Sequence, residues 1–153
     1  MLRGARQAAA KTAARRMVPV IVFSIGGKAF AMKAAEVGSV EAWPVSMPIP
    51  SATPHIREVV RRGRRLHGVY DLAGHWAIQP SEGTPLCVMV KWGHEEVAIR
   101  VDSRIPSLES ADLAMIRPAP DAKGGTIGIW TLQGVDVPLV SFMQMAARLS
   151  QAA

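Results

Sequence analysis

The sequence predicts an all-β fold built from small barrels or sandwiched sheets. The 153-residue chain contains many short apolar runs separated by glycine and proline turn signals, and only one segment has clear helical periodicity. This length suits one ordinary domain, or two small subdomains that share a core. Because hydrophobic residues make up 49% and aromatic residues only 5%, we expect a core of mainly aliphatic side chains.

The first elements are predicted to be a β-hairpin and a third strand. Residues 18–25 and 28–32 are apolar runs on either side of the pair Gly26-Gly27. This pair predicts a tight turn, because glycine adopts positive φ at little steric cost. Residues 37–43 predict another short strand.

The next segments alternate between connections and one strand. Residues 44–54 contain four prolines and predict an extended loop, because proline lacks the N–H that a central strand donates. Residues 55–70 alternate only partly, and we predict one strand that finishes over residues 69–72. Residues 73–85 are rich in glycine, proline and polar residues, which predicts a long connection.

The second half predicts further strands. Residues 86–92 form a continuous apolar run, and residues 95–102 alternate between apolar and polar side chains, as a strand does. Residues 107–116 are predicted to contain a helical turn. Residues 127–132 and 135–140 predict a final hairpin around Gln133-Gly134.

The C-terminal segment predicts a helix. Ser141 and Gln144 fit a capping box, in which each side chain accepts from a backbone N–H of the first helical turn. Four apolar residues then recur at helical spacing and are expected to pack on the core: Phe142, Met145, Ala146 and Leu149.

The net charge of +6 is concentrated in two basic islands. Residues 1–16 hold five basic residues and no acid, and residues 57–65 hold five arginines and one glutamate. Outside these islands, eight basic residues face eleven acidic residues. We predict a disordered basic tail over residues 1–16 and one domain over residues 17–150.

A single-stranded nucleic-acid binder on a small barrel is the main alternative class of protein. Such a protein uses basic grooves together with aromatic side chains that stack on bases, and its affinity falls steeply with salt. Neither basic island contains an aromatic residue. We therefore do not expect nucleic acid to be the partner.

Catalytic, cofactor and metal sites are not expected. The four histidines show no metal-ligand spacing, and the single cysteine, Cys87, lies inside an apolar strand where burial raises a thiol pKa. Asp71 and Asp102 each follow a predicted strand, where carboxylates commonly cap turns. A hydrolase on an unfamiliar β scaffold is disfavoured, because no nucleophile and base have suitable spacing.

The expected location is the cytoplasm. No apolar run approaches the roughly 20 residues of a membrane helix, and the N-terminus lacks the apolar segment of a secretory signal. A single cysteine excludes an internal disulfide, as is common in a reducing compartment.

Several motifs, taken in order, resemble the CheW-like family of chemotaxis coupling proteins. The opening strand at residues 20–26, the proline-rich crossing, and the segment 57–72 with Val69, Asp71 and Leu72 follow the family pattern. In the second half, residues 99–102 and 116–120 are similar to further family motifs. The resemblance covers about 135 residues.

Five positions depart from that pattern. The family's Arg-Gly pair is inverted, so that Gly63 stands at the arginine position and Arg64 at the glycine position. Ser39 replaces a glutamate, Glu58 a glycine and Gly68 a proline. The apolar positions are kept, so these changes bear on partner specificity rather than on the fold.

The resemblance implies two five-stranded SH3-like barrels with a bridging C-terminal helix and no catalytic activity. The seam between the two barrels is expected near residues 73–85. The resemblance also implies that the protein joins the cytoplasmic tip of a methyl-accepting chemoreceptor to a CheA-type histidine kinase, and meets the membrane only through that receptor. A degenerate member that merely fills lattice positions is a further alternative. The expected partner-binding residues are Val37, Ser39, Val40, Arg57, Glu58, Arg62, Gly63 and Arg64.

We hypothesise that the arginines of residues 57–65 form a basic ridge that binds acidic residues of a partner. Arginine suits this role because it forms bidentate hydrogen bonds to carboxylates. If residues 55–70 are one strand, alternation places Arg62 and Arg64 on the face of Leu66 and Tyr70. We favour these two arginines as substitutes for the displaced family arginine.

Overall fold

The computed structural model describes residues 16–104, 106–119 and 125–145. Within these ranges the chain forms eleven strands in two sheets, here called sheet A and sheet B. The predicted all-β class, with two small SH3-like β subdomains, is confirmed. The basic tail falls outside the described residues, apart from Arg16.

Sheet A has five strands in the order β10-β11-β2-β1-β9. The β11–β2 pair is parallel, and the other pairs are antiparallel. Its strands are β1 (Met17–Ile25), β2 (Lys28–Lys33), β9 (Ser107–Asp112), β10 (Thr126–Leu132) and β11 (Val135–Val140).

Sheet B has six strands in the order β3-β7-β8-β6-β5-β4, with β6 and β8 parallel. Its strands are β3 (Val37–Ala42), β4 (Ser46–Pro48), β5 (Ile56–Arg62), β6 (Arg65–Tyr70), β7 (Leu86–Trp92) and β8 (Glu95–Val101). It has one strand more than the expected five, because the proline-rich segment contributes β4 at the edge. Prolines are tolerated there, since an edge strand has a free side.

The prediction of one strand over residues 55–72 is wrong. The chain turns at Gly63 and Arg64, so that β5 and β6 form a hairpin in which Arg62 pairs with Arg65. Gly63 has φ of 62°, a conformation that favours glycine. After β6, the Asp71 carboxylate accepts from the Gly74 N–H and caps a short helix, α1 (Leu72–His75).

Residues 107–116 contain the expected helical turn, but a strand that was not predicted precedes it. Residues 107–112 form strand β9, which pairs with β1 along its length. A 3-10 turn follows at Leu113–Met115, where the Asp112 carboxylate accepts from the Ala114 N–H. Tertiary pairing with β1 overrides the weak local preference of this polar segment.

The described residues form three apolar cores. One fills the interior of sheet A around Val20, Ala31, Ala111, Trp130 and Leu139. A second fills the interior of sheet B around Val60, Val69, Cys87, Met89 and Ala98. The largest lies between the sheets and includes Phe23, Phe30, Met32, Tyr70, Val88, Ile99 and Phe142. Strands β7 and β8 are therefore buried on both faces.

The segment 73–85 joins two strands of the same sheet, β6 and β7. The chain passes between the sheets elsewhere, after β2 and after β8. Residues 73–85 nevertheless contact sheet A, because Trp76 stacks on Phe30 with ring centroids 4.3 Å apart. The segment therefore contacts sheet A while it connects two strands of sheet B.

The C-terminal helix, here α2, is helical over its described residues 142–145. The Ser141 hydroxyl oxygen accepts from the Gln144 N–H, as predicted. The second capping group is Glu36 rather than Gln144, since its carboxylate accepts from the Ser141 hydroxyl and the Met143 N–H. Phe142 and Met145 are buried, whereas Ala146 and Leu149 fall outside the described residues.

Among the described residues, no helix has the length and apolar character required to cross a membrane.

Candidate protein-interaction surface

Sheet B curls on itself, and an ion pair joins strands that are far apart in its order. Arg62 in β5 donates to Glu41 in β3, with Nε 2.8 Å from Oε1 and Nη2 3.3 Å from Oε2. Three strands, β7, β8 and β6, separate β3 from β5 in the sheet. A contact of this length therefore requires the sheet to bend into a barrel.

Arg62 also contacts two further side chains at this end of the barrel. Its Nη1 lies 3.5 Å from Glu96 Oε2, and its Nη2 lies 3.5 Å from Ser39 Oγ. The Arg62 side chain is 31% exposed, so the cluster is partly shielded from water. Arg62 is accordingly engaged within the chain, which the sequence did not indicate.

A second arginine, Arg100, lies at the opposite end of the barrel formed by sheet B. The Arg100 guanidinium lies 4.2 Å from the centroid of the Trp43 ring, and its Nη2 donates to both Glu58 carboxylate oxygens at 3.1 and 3.2 Å. Glu96, Ala98 and Arg100 share one face of β8, because strand side chains alternate. The barrel interior thus has an apolar middle between two ion-pair clusters.

The other four arginines of the cluster are exposed. Arg57, Arg61, Arg64 and Arg65 form no ion pair with any described carboxylate, although Arg61 Nε donates to the Gly63 carbonyl oxygen. The predicted common face for Arg62, Arg64 and Leu66 is wrong, because the turn at Gly63 and Arg64 interrupts the alternation. Arg62 faces the barrel interior, whereas Arg64 lies in the turn.

The predicted residues of β3 divide between its two faces. Val37 packs against the core between the sheets, and Ser39 points towards Arg62. Val40 is 40% exposed and lies on the other face. Val40, Arg57, Gly63 and Arg64 therefore lie at the surface, while Val37, Ser39, Glu58 and Arg62 make contacts within the chain.

Asp71 and Asp102, which each follow a strand, make separate contacts within the chain. The Asp102 carboxylate accepts from the Gly26 and Gly27 N–H groups at 3.0 and 2.9 Å, and from the Ser24 hydroxyl at 2.9 Å. Burial raises the Asp102 pKa, but the hydrogen bonds outweigh this effect and lower it overall. Asp71 caps α1. Both carboxylates cap turns, as predicted.

Cys87 is fully buried in the interior of sheet B. Burial raises the pKa of its thiol to about 11, with a smaller contribution from Glu41. A thiol with such a pKa is protonated at neutral pH and packs as a small apolar residue.

A cluster of His55, Tyr70 and His75 was missed at the sequence level. The Tyr70 hydroxyl lies 2.9 Å from His75 Nδ1, and the two histidine rings meet edge to face at 4.9 Å. Burial, followed by the proximity of His55, lowers the His75 pKa. No sequence motif links these three positions. They meet only in the folded chain, at the connection between β6 and α1. Within the described ranges, no three metal-binding side chains converge.

The fold defines the class of protein as a double SH3-like β-barrel. The chain belongs to the CheW-like domain family, whose model matches residues 19–150. Proteins of this family are non-catalytic scaffolds, so the chain is a chemotaxis scaffold and not an enzyme.

A solved structure has the same fold. The crystal structure of the scaffolding protein TtCheW from Thermoanaerobacter tengcongensis matches with a TM-score of 0.71 and 17% sequence identity. The match covers 81% of this chain and 88% of that chain. No match was found among curated protein sequences.

Proposed function

We propose that this protein couples the cytoplasmic tip of a methyl-accepting chemoreceptor to a CheA-type histidine kinase in a bacterial chemosensory array. The observation that carries the proposal is the family match over residues 19–150, which spans both sheets. The proposed location is the cytoplasm, and no cofactor takes part.

The proposed interface residues fall into two groups. Val40, Arg57, Gly63 and Arg64 lie at the surface and contact partners directly. Val37, Ser39, Glu58 and Arg62 are positioning residues, because their side chains pack or pair within the chain and hold β3 and β5 in place. The unpaired arginines favour carboxylates on the partner, with which arginine forms bidentate bonds.

Glu41 supplies the carboxylate that pairs with Arg62, two residues beyond Ser39. The ion pair between β3 and β5 is therefore present, although Ser39 stands where the family pattern has a glutamate. We infer that the changed residues tune partner choice, so that the protein binds an ordinary CheA-type kinase only weakly or serves a divergent chemosensory array. Nanomolar binding to the kinase of an unrelated chemotaxis array would contradict this inference.

Co-purification from the native cell tests the coupling function. The tagged protein serves as bait beside two variants that change the net charge equally, Arg57→Glu with Arg64→Glu and, as the control, Lys28→Glu with Arg104→Glu. All four residues are exposed, and the control pair lies outside the β5–β6 hairpin. Partners are identified by mass spectrometry at matched salt.

Recovery of a histidine kinase and a receptor with the parent and the control, but not with the Arg57/Arg64 variant, is the expected result. Charge reversal at an interface should weaken binding by about tenfold or more. Recovery of RNA or DNA that washes off at moderate salt, without a kinase, would favour the nucleic-acid alternative. If the protein only occupied places in the receptor lattice, the bait would recover receptors but would not bind the purified kinase.

A further inference from the structure

Two connections of sheet B meet through the rings of their side chains. His55 lies between β4 and β5, and His75 ends α1, the short helix that follows β6. Their imidazole rings meet at 61° to each other, with centroids 4.9 Å apart. The ring of Tyr70, the last residue of β6, lies 5.7 Å from the first and 5.9 Å from the second. Three rings therefore join the β4–β5 connection to α1.

The buried Tyr70 hydroxyl relies on His75 for its hydrogen bond. It lies 2.9 Å from His75 Nδ1, and Tyr70 is fully buried. Burial, followed by the charge of Asp71, raises the pKa of Tyr70 to about 12, so the hydroxyl keeps its proton and donates it to neutral His75. Both ring nitrogens of a protonated histidine are donors. Protonation of His75 would thus leave the hydroxyl proton without its acceptor, which costs free energy in a buried place.

A positive charge on one imidazole ring would also face the other ring. Burial, followed by the proximity of His55, lowers the His75 pKa. No described carboxylate forms an ion pair with either histidine. The contact between the two rings therefore favours the neutral form of both.

The cluster borders a cavity of about 910 Å³, and the charged groups that line this cavity have other partners or lie at its edge. Glu58 is paired with Arg100, and the carboxylates of Asp71 and Asp102 accept from backbone N–H groups. The remaining charged groups are the exposed side chains of Arg57 in β5 and Glu82 in the connection to β7.

The backbone around His55 has few other contacts. His55 has φ of 61°, a left-handed conformation that costs a residue with a side chain about 1 kcal/mol. Its carbonyl oxygen accepts from the Asp71 N–H at 2.8 Å, and residues 51–54 before it are all exposed. Segments with few buried contacts open at low free energy. The ring contacts are therefore important for holding this connection in place.

We propose that His55, Tyr70 and His75 form an acid-sensitive latch, which holds the β4–β5 connection against α1 while both histidines are neutral and releases it when they are protonated. A lowered pKa in the closed state means that the latch is stable above the ordinary histidine pKa of about 6.5 and weakens as pH falls below it. The latch lies within one chain. It can therefore be tested without a kinase or a receptor, and its failure would leave the coupling function untouched.

Hydrogen exchange of the Asp71 amide, followed by NMR on the full-length protein, measures release directly, because this amide donates to His55. Its protection is corrected for the exchange rate of an unstructured peptide at each pH. One histidine with an ordinary pKa in the open state changes the opening equilibrium at most about tenfold between about pH 7.5 and about pH 5.5. We expect protection to fall by about threefold or more over this range.

Two variants with the same substitution separate the latch from a general effect of acid. His75→Gln removes the titrating group but keeps an amide that can accept from Tyr70, and its Asp71 protection should change by less than about twofold. His94→Gln is the matched control, since His94 is exposed in the β7–β8 turn, and it should behave as the parent does. Circular dichroism confirms that both variants are folded.

An NMR titration of the parent protein provides a test that needs no variant. The His75 ring should titrate below the ordinary value of about 6.5. The proposal is overturned if His75 titrates at or above that value, if Asp71 keeps its protection in acid, or if His75→Gln loses as much protection as the parent. It is also overturned if amides at the centre of β7 exchange as fast as that of Asp71, because the opening would then be global unfolding.

Discussion

Arg62 and Arg64, two positions apart, have different environments. Arg62 donates to Glu41 and approaches Glu96 inside the barrel, whereas Arg64 lies in the exposed turn. An ion pair that is partly shielded and hydrogen-bonded contributes more to stability than an exposed charge does. The two arginines should therefore respond differently to the same substitution.

Arg62→Met should lower the free energy of unfolding by about 1–2 kcal/mol, because it leaves Glu41 without its hydrogen-bond donor. Arg64→Met should change it by less than about 0.5 kcal/mol. Urea denaturation at low salt measures both values. If Arg62→Met changed the free energy of unfolding as little as Arg64→Met is expected to, the Arg62 cluster would add no stability.

Asp102→Ala should lower the free energy of unfolding by about 1–2 kcal/mol at neutral pH, because the Gly26 and Gly27 N–H groups lose their acceptor. The folded state lowers the pKa of Asp102, so its carboxylate stabilises the fold above the unfolded pKa of about 4, and this stabilisation is lost as pH falls through the folded pKa. Denaturation at several pH values should show the two proteins converging in acid. A difference in the free energy of unfolding that did not change with pH would contradict the lowered pKa of Asp102.

At the scale of elements, the ends of strands and helices are held by carboxylates from distant parts of the chain. Asp102, after β8, accepts from the β1–β2 turn, and Glu36, before β3, caps α2. The edge strand β4 lies within a proline-rich segment, and proline at an edge discourages pairing with other chains. These contacts explain why short elements keep defined ends.

Ser141→Ala should destabilise the protein by about 1 kcal/mol, because Ser141 both accepts from the Gln144 N–H and donates to Glu36. Glu36→Ala should cost about as much, since the Ser141 hydroxyl and the Met143 N–H lose their acceptor. Thermal unfolding of both single variants and the double variant measures their coupling. Additive effects would mean that the Ser141–Glu36 contact contributes nothing.

At the scale of the whole molecule, an aromatic cluster joins the two sheets. Phe142 follows β11 of sheet A, and its ring lies 5.0 Å from that of Tyr70 and 5.8 Å from that of Trp92, both in sheet B. Phe30 of sheet A stacks on Trp76 nearby. The two subdomains therefore share one core and are expected to unfold together.

Phe142→Leu should lower the free energy of unfolding by about 1–2 kcal/mol, because the smaller side chain leaves part of the buried aromatic contact unfilled. Met143→Leu is the matched control, as Met143 is 51% exposed on the same helix. Denaturation followed by tryptophan fluorescence and by far-ultraviolet circular dichroism should give coincident transitions in both proteins. Separate transitions for Phe142→Leu would show that the sheets unfold independently.

Local patterns determined most of the strands, because hairpin turns and alternation act over a few residues. Gly26-Gly27 and Gln133-Gly134 were predicted to be turns and are turns, with positive φ at each residue. The helix start at Ser141 and the capping roles of Asp71 and Asp102 also followed from local chemistry. The turn at Gly63 and Arg64 was missed, because arginine runs obscured the apolar alternation on both sides of it.

The sequence by itself determined the all-β class, the family and the apolar positions of the cores. Only the tertiary structure decided which arginine is internal and which are exposed, because Glu41 and Glu96 reach Arg62 from strands 21 and 34 residues away in the chain. The contact between His55 and His75 likewise joins two separate connections of sheet B. Contacts between distant segments depend on sheet curvature and register, which no short stretch of sequence encodes.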